Sequence, residues 1–407
     1  MYVKSPEVLA FDQRLSREVH KIGVGEYLKG SWPQGASVRL PPSGDGGKLL
    51  DYARQGHPGA DKVERLLAAL EMGKSCVSFV SGQAAMQGAT EALISRGDTV
   101  LVHSSVYGGT IRYFNFIQRK WGVDVRFVDL GAADAGVTIT ETKPKLIVLE
   151  SVTNPALNVL DMPGLMRAAA RTGSYMIVDN TLPTSYGCVP LDIARHSNYD
   201  KIAVVLSTTK GCTAGDLGGA VIGDDQEWME KVYAYRQMAS APVAQTDAPR
   251  LHDAIKDMDM RMQRLGENSQ AIAQYLDADR PEGIQVLYPF LKTFQDYARA
   301  RELLLRAPGV FTLKCTLPQG RFDALAQRVE EVYLQANSFN GKLRTSSISH
   351  IQSHKSVGDS DRQAQAGITP QLIRLSPSTV DRPESAVQIM REIINDWGRN
   401  LTISSAS

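Results

Sequence analysis

The 407-residue chain is short of cysteine, of net charge and of long apolar runs, and each shortage excludes a class of protein. Its four cysteines, Cys76, Cys188, Cys212 and Cys315, lie far apart, three of them among apolar or small neighbours. That pattern is neither a secreted disulfide framework nor a zinc site, and it reads as reduced intracellular thiols. Lys plus Arg number 45 against 44 Asp plus Glu, a formal net charge of +1, so no bulk field draws nucleic acid or an anionic membrane. No apolar run approaches the roughly 20 residues needed to cross a bilayer. The opening Met-Tyr-Val-Lys-Ser-Pro-Glu has no basic stretch followed by an apolar one, which argues against a secretory signal. Internal repeats and low-complexity tracts are absent too. Gly23-Val24-Gly25 lacks the third glycine of a dinucleotide fingerprint and follows no strand, so a nicotinamide-dependent dehydrogenase has little support. The expectation is a cytoplasmic globular protein large enough for two domains.

What the chain does have is alternation. Residues 1–55 are rich in Gly, Pro and Ser and read as an arm lying on another surface. A helix is expected from Ala60 to Met72, a strand from Ser75 to Val80, and then Ser81-Gly82-Gln83 opening an Ala-rich helix. Further strands are expected over Thr99–His103, Asp124–Asp129, Leu146–Glu150, Tyr175–Asp179 and Ile202–Leu206, with helices over Gly109–Trp121 and Pro163–Thr172. Short apolar strands alternating with amphipathic helices predict an α/β domain over residues 56–245, its mainly parallel sheet covered by helices on both faces. Beyond it, residues 246–407 read as a smaller α+β domain. A single long helix is expected there from Leu251 to Asp277, then strands Ile284–Tyr288, Gly309–Leu317 and Leu372–Ser376 and helices Arg321–Ala336 and Arg382–Gly398. The Ser/Thr/His/Lys stretch from Thr345 to Asp361 reads as a loop, because His350 and His354 have no third ligand; no metal is expected.

In such sheets ligands collect at the carboxyl ends of strands, and there the sequence places complementary chemistry. Lys210 follows Ser207-Thr208-Thr209 directly after a strand and precedes small residues, a setting for imine formation with a carbonyl cofactor. Pyridoxal phosphate needs that lysine, an acid on its ring nitrogen, a phosphate cradle and a flat residue over the ring. Asp179 supplies the acid. Gly82, Gln83, Ser207 and Thr209 suit the phosphate, since a helix start offers free N–H groups and a favourable dipole. Tyr107 would stack on the ring and Asn154 reach its phenolic oxygen. Each has a plain structural alternative: Asp179 a strand-end cap, Tyr107 core, Asn154-Pro155 a turn. Together, in this order and spacing, they are hard to explain as structure alone.

The same residues resemble the pyridoxal-phosphate enzymes of cysteine and methionine metabolism, typified by cystathionine γ-synthase and γ-lyase. Tyr52-Ala53-Arg54-Gln55-Gly56-His57-Pro58 looks like the family's Y-S-R-x-x-N-P, and Ser81-Gly82-Gln83-Ala84-Ala85 like S-G-M-A-A. Val106 to Thr110 is similar to L-Y-G-G-T, Glu150 to Pro155 to E-T-P-x-N-P, Val178 to Thr181 to V-D-N-T, and Ser207 to Lys210 to S-A-T-K. Arg374-Leu375-Ser376 looks like the R-L-S whose arginine grips the substrate α-carboxylate, and Ser338 aligns with the serine of S-L-G-G. The resemblance implies a fold type I transferase with a seven-stranded-type sheet, assembled as a homodimer or homotetramer. It further implies that Tyr52 and Arg54 reach the neighbouring subunit's site, with Tyr52, Asn337, Ser338 and Arg374 near the substrate.

Four stretches depart from the family pattern. After the lysine, Gly211-Cys212-Thr213-Ala214-Gly215 lacks the usual aromatic and Gly-Gly-His; Asn337 stands where the cystathionine lyases are acidic; the segment after Ser338 is altered; so is the arm. Cofactor machinery is kept while the walls facing the substrate's far end differ. The resemblance therefore implies γ-substitution on an amino acid with a Cγ leaving group, through a vinylglycine-type intermediate. O-acylhomoserines, cystathionine, methionine or S-adenosylmethionine would serve as substrate, with a nucleophile co-substrate that could be a carbon. Lys210 would act as general base, with Asp179 and Tyr107 completing the catalytic set. The alternatives are γ- or β-elimination and, from another class, a pyridoxal-binding scaffold without turnover.

Overall fold

The computed structural model describes residues 53–334 except 214 and 280, and 369 and 371–404 except 378 and 380; before residue 53 it describes only 4–5, 10–11, 13–15, 17, 38–39 and 49–50. Strands β1 (Val38–Arg39) and β2 (Leu49–Leu50) form a short antiparallel pair. Seven strands make the central sheet: β3 (Ser75–Phe79), β4 (Thr99–His103), β5 (Asp124–Val128), β6 (Leu146–Glu150), β7 (Tyr175–Asp179), β8 (Ile202–Ser207) and β9 (Gly219–Gly223). Their order is β3-β9-β8-β7-β6-β4-β5, with β9 antiparallel to both neighbours and the remaining pairs parallel. This is the mainly parallel seven-stranded sheet that the sequence leads one to expect. The antiparallel β9 was not anticipated.

Burial on both faces explains why these strands read as continuous apolar runs. In β6, Ile147 and Leu149 enter one hydrophobic core and Leu146 and Val148 the other. Strand β8 divides the same way, Ile202, Val204 and Leu206 against Ala203 and Val205. Each large aliphatic side chain so buried contributes roughly 1.5–3 kcal/mol. Local chemistry starts the helices. His57 caps the Pro58–Leu70 helix, accepting from Ala60 N through Nδ1 at 3.1 Å while Nε2 lies 3.0 Å from Val243 O. Ser81 caps the Gly82–Glu91 helix by accepting from Ala84 N at 3.2 Å.

A second sheet, β10 (Ile284–Leu287), β11 (Phe311–Cys315) and β12 (Leu372–Leu375), is antiparallel in that order. The Met258–Asp279 helix packs against the Pro383–Ser404 helix beside it. One expectation is corrected here. The single helix from Leu251 to Asp277 is two, Ala248–Lys256 and Met258–Asp279, interrupted at Asp257. Buried Leu251 and Ile255 are followed in phase by buried Met258 and Met262, so apolar spacing hides the break. At the break, Arg261 donates to Ala254 O at 2.8 Å and reaches the carbonyls of Gly211 and Cys212, tying the helix start to the loop after Lys210. Among the described residues no helix is long and apolar enough to cross a membrane.

Candidate active site

Parallel pairing aligns the strand ends. Glu150 pairs with Asp179 across β6 and β7, and Asp179 pairs with Val205 of β8, so three carboxyl ends open on one side of the sheet. Strand β3 runs in the same sense as β8 because β9 reverses between them. Its outlet, Ser81-Gly82, therefore arrives at the same edge.

Backbones crowd at that outlet. A Cβ on Gly82 would lie 2.5 Å from Ser207 Cβ, and one on Gly219 would lie 2.3 Å from Ser81 O. Both positions admit only glycine. The first-turn N–H groups of Gly82 and Gln83, which a helix cannot satisfy internally, lie at this crowded outlet beside Ser207. Ser207 N donates to Thr181 Oγ1 at 2.8 Å, locking the turns after β7 and β8 together, and Thr209 Oγ1 accepts from Gly218 N at 3.4 Å. Thr208 by contrast is buried, packed against Gly218. Small residues, N–H donors and hydroxyls at one point fit a phosphate.

Asp179 is held by Thr181 N, 2.9 Å from Oδ1, and burial raises its pKa. A carboxylate so placed favours a proton or cationic partner next to it, which a protonated ring nitrogen provides. Lys210 is exposed in the single chain, and loss of surrounding water and then the charge of Arg374 lower its pKa. Arg374 Nη1 donates to Asn154 Oδ1 at 2.9 Å across the two sheets, and burial takes its pKa down to about 10, leaving it charged at neutral pH. The Tyr107 ring lies over Gly109, where a Cβ would be 2.4 Å from it, and the residue is 37% exposed at the mouth. Lysine, acid, anion seat and a flat ring converge, so pyridoxal phosphate fits the residues present.

Two acids with no role in the sequence reading stand beneath these groups. Glu150 is 6% exposed and accepts from Tyr107 N at 2.6 Å and from Asn154 N at 2.9 Å. Burial and then Asp179 push its pKa well up. Glu71 is fully buried under Asn180, whose Nδ2 reaches both carboxyl oxygens, at 3.1 and 3.2 Å. The Asn180 side chain also donates to Cys188 O at 2.9 Å and accepts from Ser151 Oγ at 2.7 Å, so it fixes the backbone just after Asp179.

Burial pushes the Glu71 carboxyl up to about 8, against the pull of Asn180, Arg14 and Ser185. The folded chain thus keeps a proton that the unfolded chain, with a carboxyl near about 4.3, gives up. This group's contribution to stability is complete below about pH 4.3 and is lost as pH rises towards about 8. Thermal melting should therefore favour Glu71→Gln over the unaltered protein increasingly from about pH 5 to about pH 8. A difference in Tm that stays constant across that range would reject the buried proton.

Arg54 is exposed and donates to Gln237 O at 2.8 Å within its own chain. Tyr52, Asn337, Ser338, His350 and His354 lie outside the described residues. Among the described residues, no three His, Cys, Asp or Glu side chains gather as a metal site requires.

Comparison with known proteins follows the same lines. The family described as Cys/Met metabolism PLP-dependent enzyme matches residues 27–381. The chain is 30% identical over 353 residues to cystathionine gamma-synthase of Mycobacterium tuberculosis, covering 85% of this chain and 87% of the other. With cystathionine gamma-lyase of Bos taurus it is 27% identical over 338 residues, covering 82% and 81%. A solved structure of cystathionine gamma synthase from Xanthomonas oryzae pv. oryzae, in complex with aminoacrylate and cysteine, is similar with a TM-score of 0.82 at 25% identity, covering 95% of this chain and 98% of that one.

Proposed function

This chain belongs to the Cys/Met metabolism PLP-dependent family, as an enzyme of the cystathionine γ-synthase and γ-lyase type, and from that premise we propose that it carries out γ-substitution on an amino acid bearing a leaving group at Cγ. The observation that carries the reading is Arg374 bonded to Asn154 at 2.9 Å, its charge also felt by Lys210. A cationic fork for a carboxylate and a lysine of lowered pKa thereby lie close enough for the charge of one to act on the other.

When bound, pyridoxal phosphate supplies the electron sink for negative charge at Cα. Gly82 and Gln83 seat the phosphate on helix-start N–H groups, with Ser207 and Thr209 donating beside them. Asp179 holds a proton on the ring nitrogen. Tyr107 covers the ring and keeps water from it. Arg374 binds the substrate α-carboxylate with two parallel N–H bonds, and Asn154 Oδ1 sets the angle of its guanidinium. The neutral Lys210 amine, favoured by its lowered pKa, takes the proton from Cα and then moves the one at Cβ, after which the Cγ substituent leaves.

Residues 1–55 form the arm, 56–245 the cofactor domain and 246–407 the substrate-side domain of a cytoplasmic dimer or tetramer, with Tyr52 and Arg54 serving the neighbour's phosphate. O-acylhomoserines, cystathionine and sulfonium amino acids fit as substrates. Asn337, Ser338 and the Gly211–Gly215 loop govern which thiol or carbon nucleophile enters. The relatives named as lyases favour elimination as the second reading. In deuterated buffer a γ-substituted substrate should gain deuterium at both Cα and Cβ, and mass spectrometry should find a coupled product when a nucleophile is added. Exchange at Cα alone, with loss of a β-substituent, moves the enzyme to β-elimination. Exchange at both positions that yields only a 2-oxo acid and ammonia moves it to γ-elimination.

A further inference from the structure

The strand-end residues proposed for the site are not independent. Glu150, the last residue of β6, sends one carboxylate oxygen to Tyr107 N at 2.6 Å and the other to Asn154 N at 2.9 Å. The first bond spans 43 residues and crosses to the loop after β4; the second closes the turn after β6 itself. Asn154 then accepts from Arg374 at 2.9 Å, on a strand of the other sheet. One carboxyl group thus sits between the Tyr107 turn and a guanidinium two hydrogen bonds away.

Two N–H donors converging on two oxygens fix the Glu150 side chain in its plane, and each peptide so held carries a side chain proposed for the site. The Asn154 side chain is aimed by its own anchored N–H, and the guanidinium is aimed by the Asn154 amide oxygen. We propose that Glu150 is a positioning residue for the substrate carboxylate: it sets Asn154, and through Asn154 it orients Arg374, while holding the Tyr107 turn in the same clasp. This rests on the reading of Arg374 as the carboxylate grip.

Glu150→Gln nearly keeps size and shape but has one oxygen for two N–H donors, so its amide nitrogen must face one of them. Glu150→Asp keeps both oxygens and withdraws them from at least one donor. Either change leaves the proposed phosphate seat at Gly82, Gln83, Ser207 and Thr209 untouched and should disturb the carboxylate side. The informative probes are glycine and methylamine, two small amines of which only glycine carries a carboxylate, titrated into cofactor-loaded protein and followed by the cofactor absorption. Glycine should bind about tenfold more weakly to both variants, with methylamine unchanged to within about twofold, the scale of a lost charge-assisted contact. With the amino-acid substrate, KM should rise by a similar factor and kcat should move much less.

Equal weakening of both probes, or of neither, in whichever variant folds would overturn the proposal. Failure of the underlying reading looks different. Unaltered protein that binds glycine no better than methylamine would show that Arg374 does not grip a carboxylate, and Glu150 would fall with it. An unaltered protein that separates the probes but yields no γ-substituted product leaves the Glu150 outcome to the variants alone.

Discussion

Lys210→Ala protein should turn over its amino-acid substrate about 10⁴-fold more slowly, the upper range for removing a positioned general base. That corresponds to about 5 kcal/mol of barrier. The loss comes from the proton steps at Cα and Cβ, since no other amine among the proposed site residues can reach them. The fold should survive, because Lys210 is exposed in the single chain and anchors no core. Phosphate binding should also persist, for Gly82, Gln83, Ser207 and Thr209 are untouched. Borohydride, which joins the cofactor to the amine it has condensed with, should label the peptide carrying Lys210 in unaltered protein and no lysine in the variant. A label on another lysine, or activity within tenfold of normal, would remove Lys210 from the chemistry.

For Arg374→Ala the expected cost is about 3–5 kcal/mol in transition-state binding, the scale for stripping one partner from an enclosed ion pair. In kcat/KM this is roughly a hundredfold to several thousandfold. The change removes the carboxylate partner, leaves Asn154 Oδ1 without its donor, and takes away a cation that eases the burial of Glu150. Cofactor content should stay close to normal, because no proposed phosphate contact involves Arg374. Arg374→Lys keeps the charge but not the fork and should fall between the two. A kcat/KM unchanged in the alanine variant would place the carboxylate elsewhere.

Much of the α/β sheet was legible because doubly buried strands leave uninterrupted apolar runs. Leu146–Glu150 and Tyr175–Asp179 fall where expected. Strand β9 was not legible: it offers only Ala220, Val221 and Ile222 between glycines, and its place beside β8 depends on pairing that spacing does not reveal. The Gln226–Met238 helix has a cap, Asp225 accepting from Trp228 N at 2.9 Å, but its apolar face is too thin for spacing to reveal it. Of the site, the side chains proposed to face a ligand were readable from motif and position at strand ends. Those that hold them were not. Glu71 acts on Asn180, far along the chain, and nothing in its immediate sequence marks it; Glu150 opens a stretch that resembles a family motif, but its bond to Tyr107 spans 43 residues and spacing does not reveal it.

The crowding of Ser81, Gly82, Ser207 and Gly219 bears on the thermodynamics of loading. Three backbones in contact, each already fixed by a strand ladder or a helix start, have almost no conformational freedom left to surrender. Capture of the anion therefore spends little of its favourable energy on ordering the protein. The proposed cofactor end of the site is thus preorganised, and substitutions in the loop after Lys210 should leave phosphate affinity nearly unchanged.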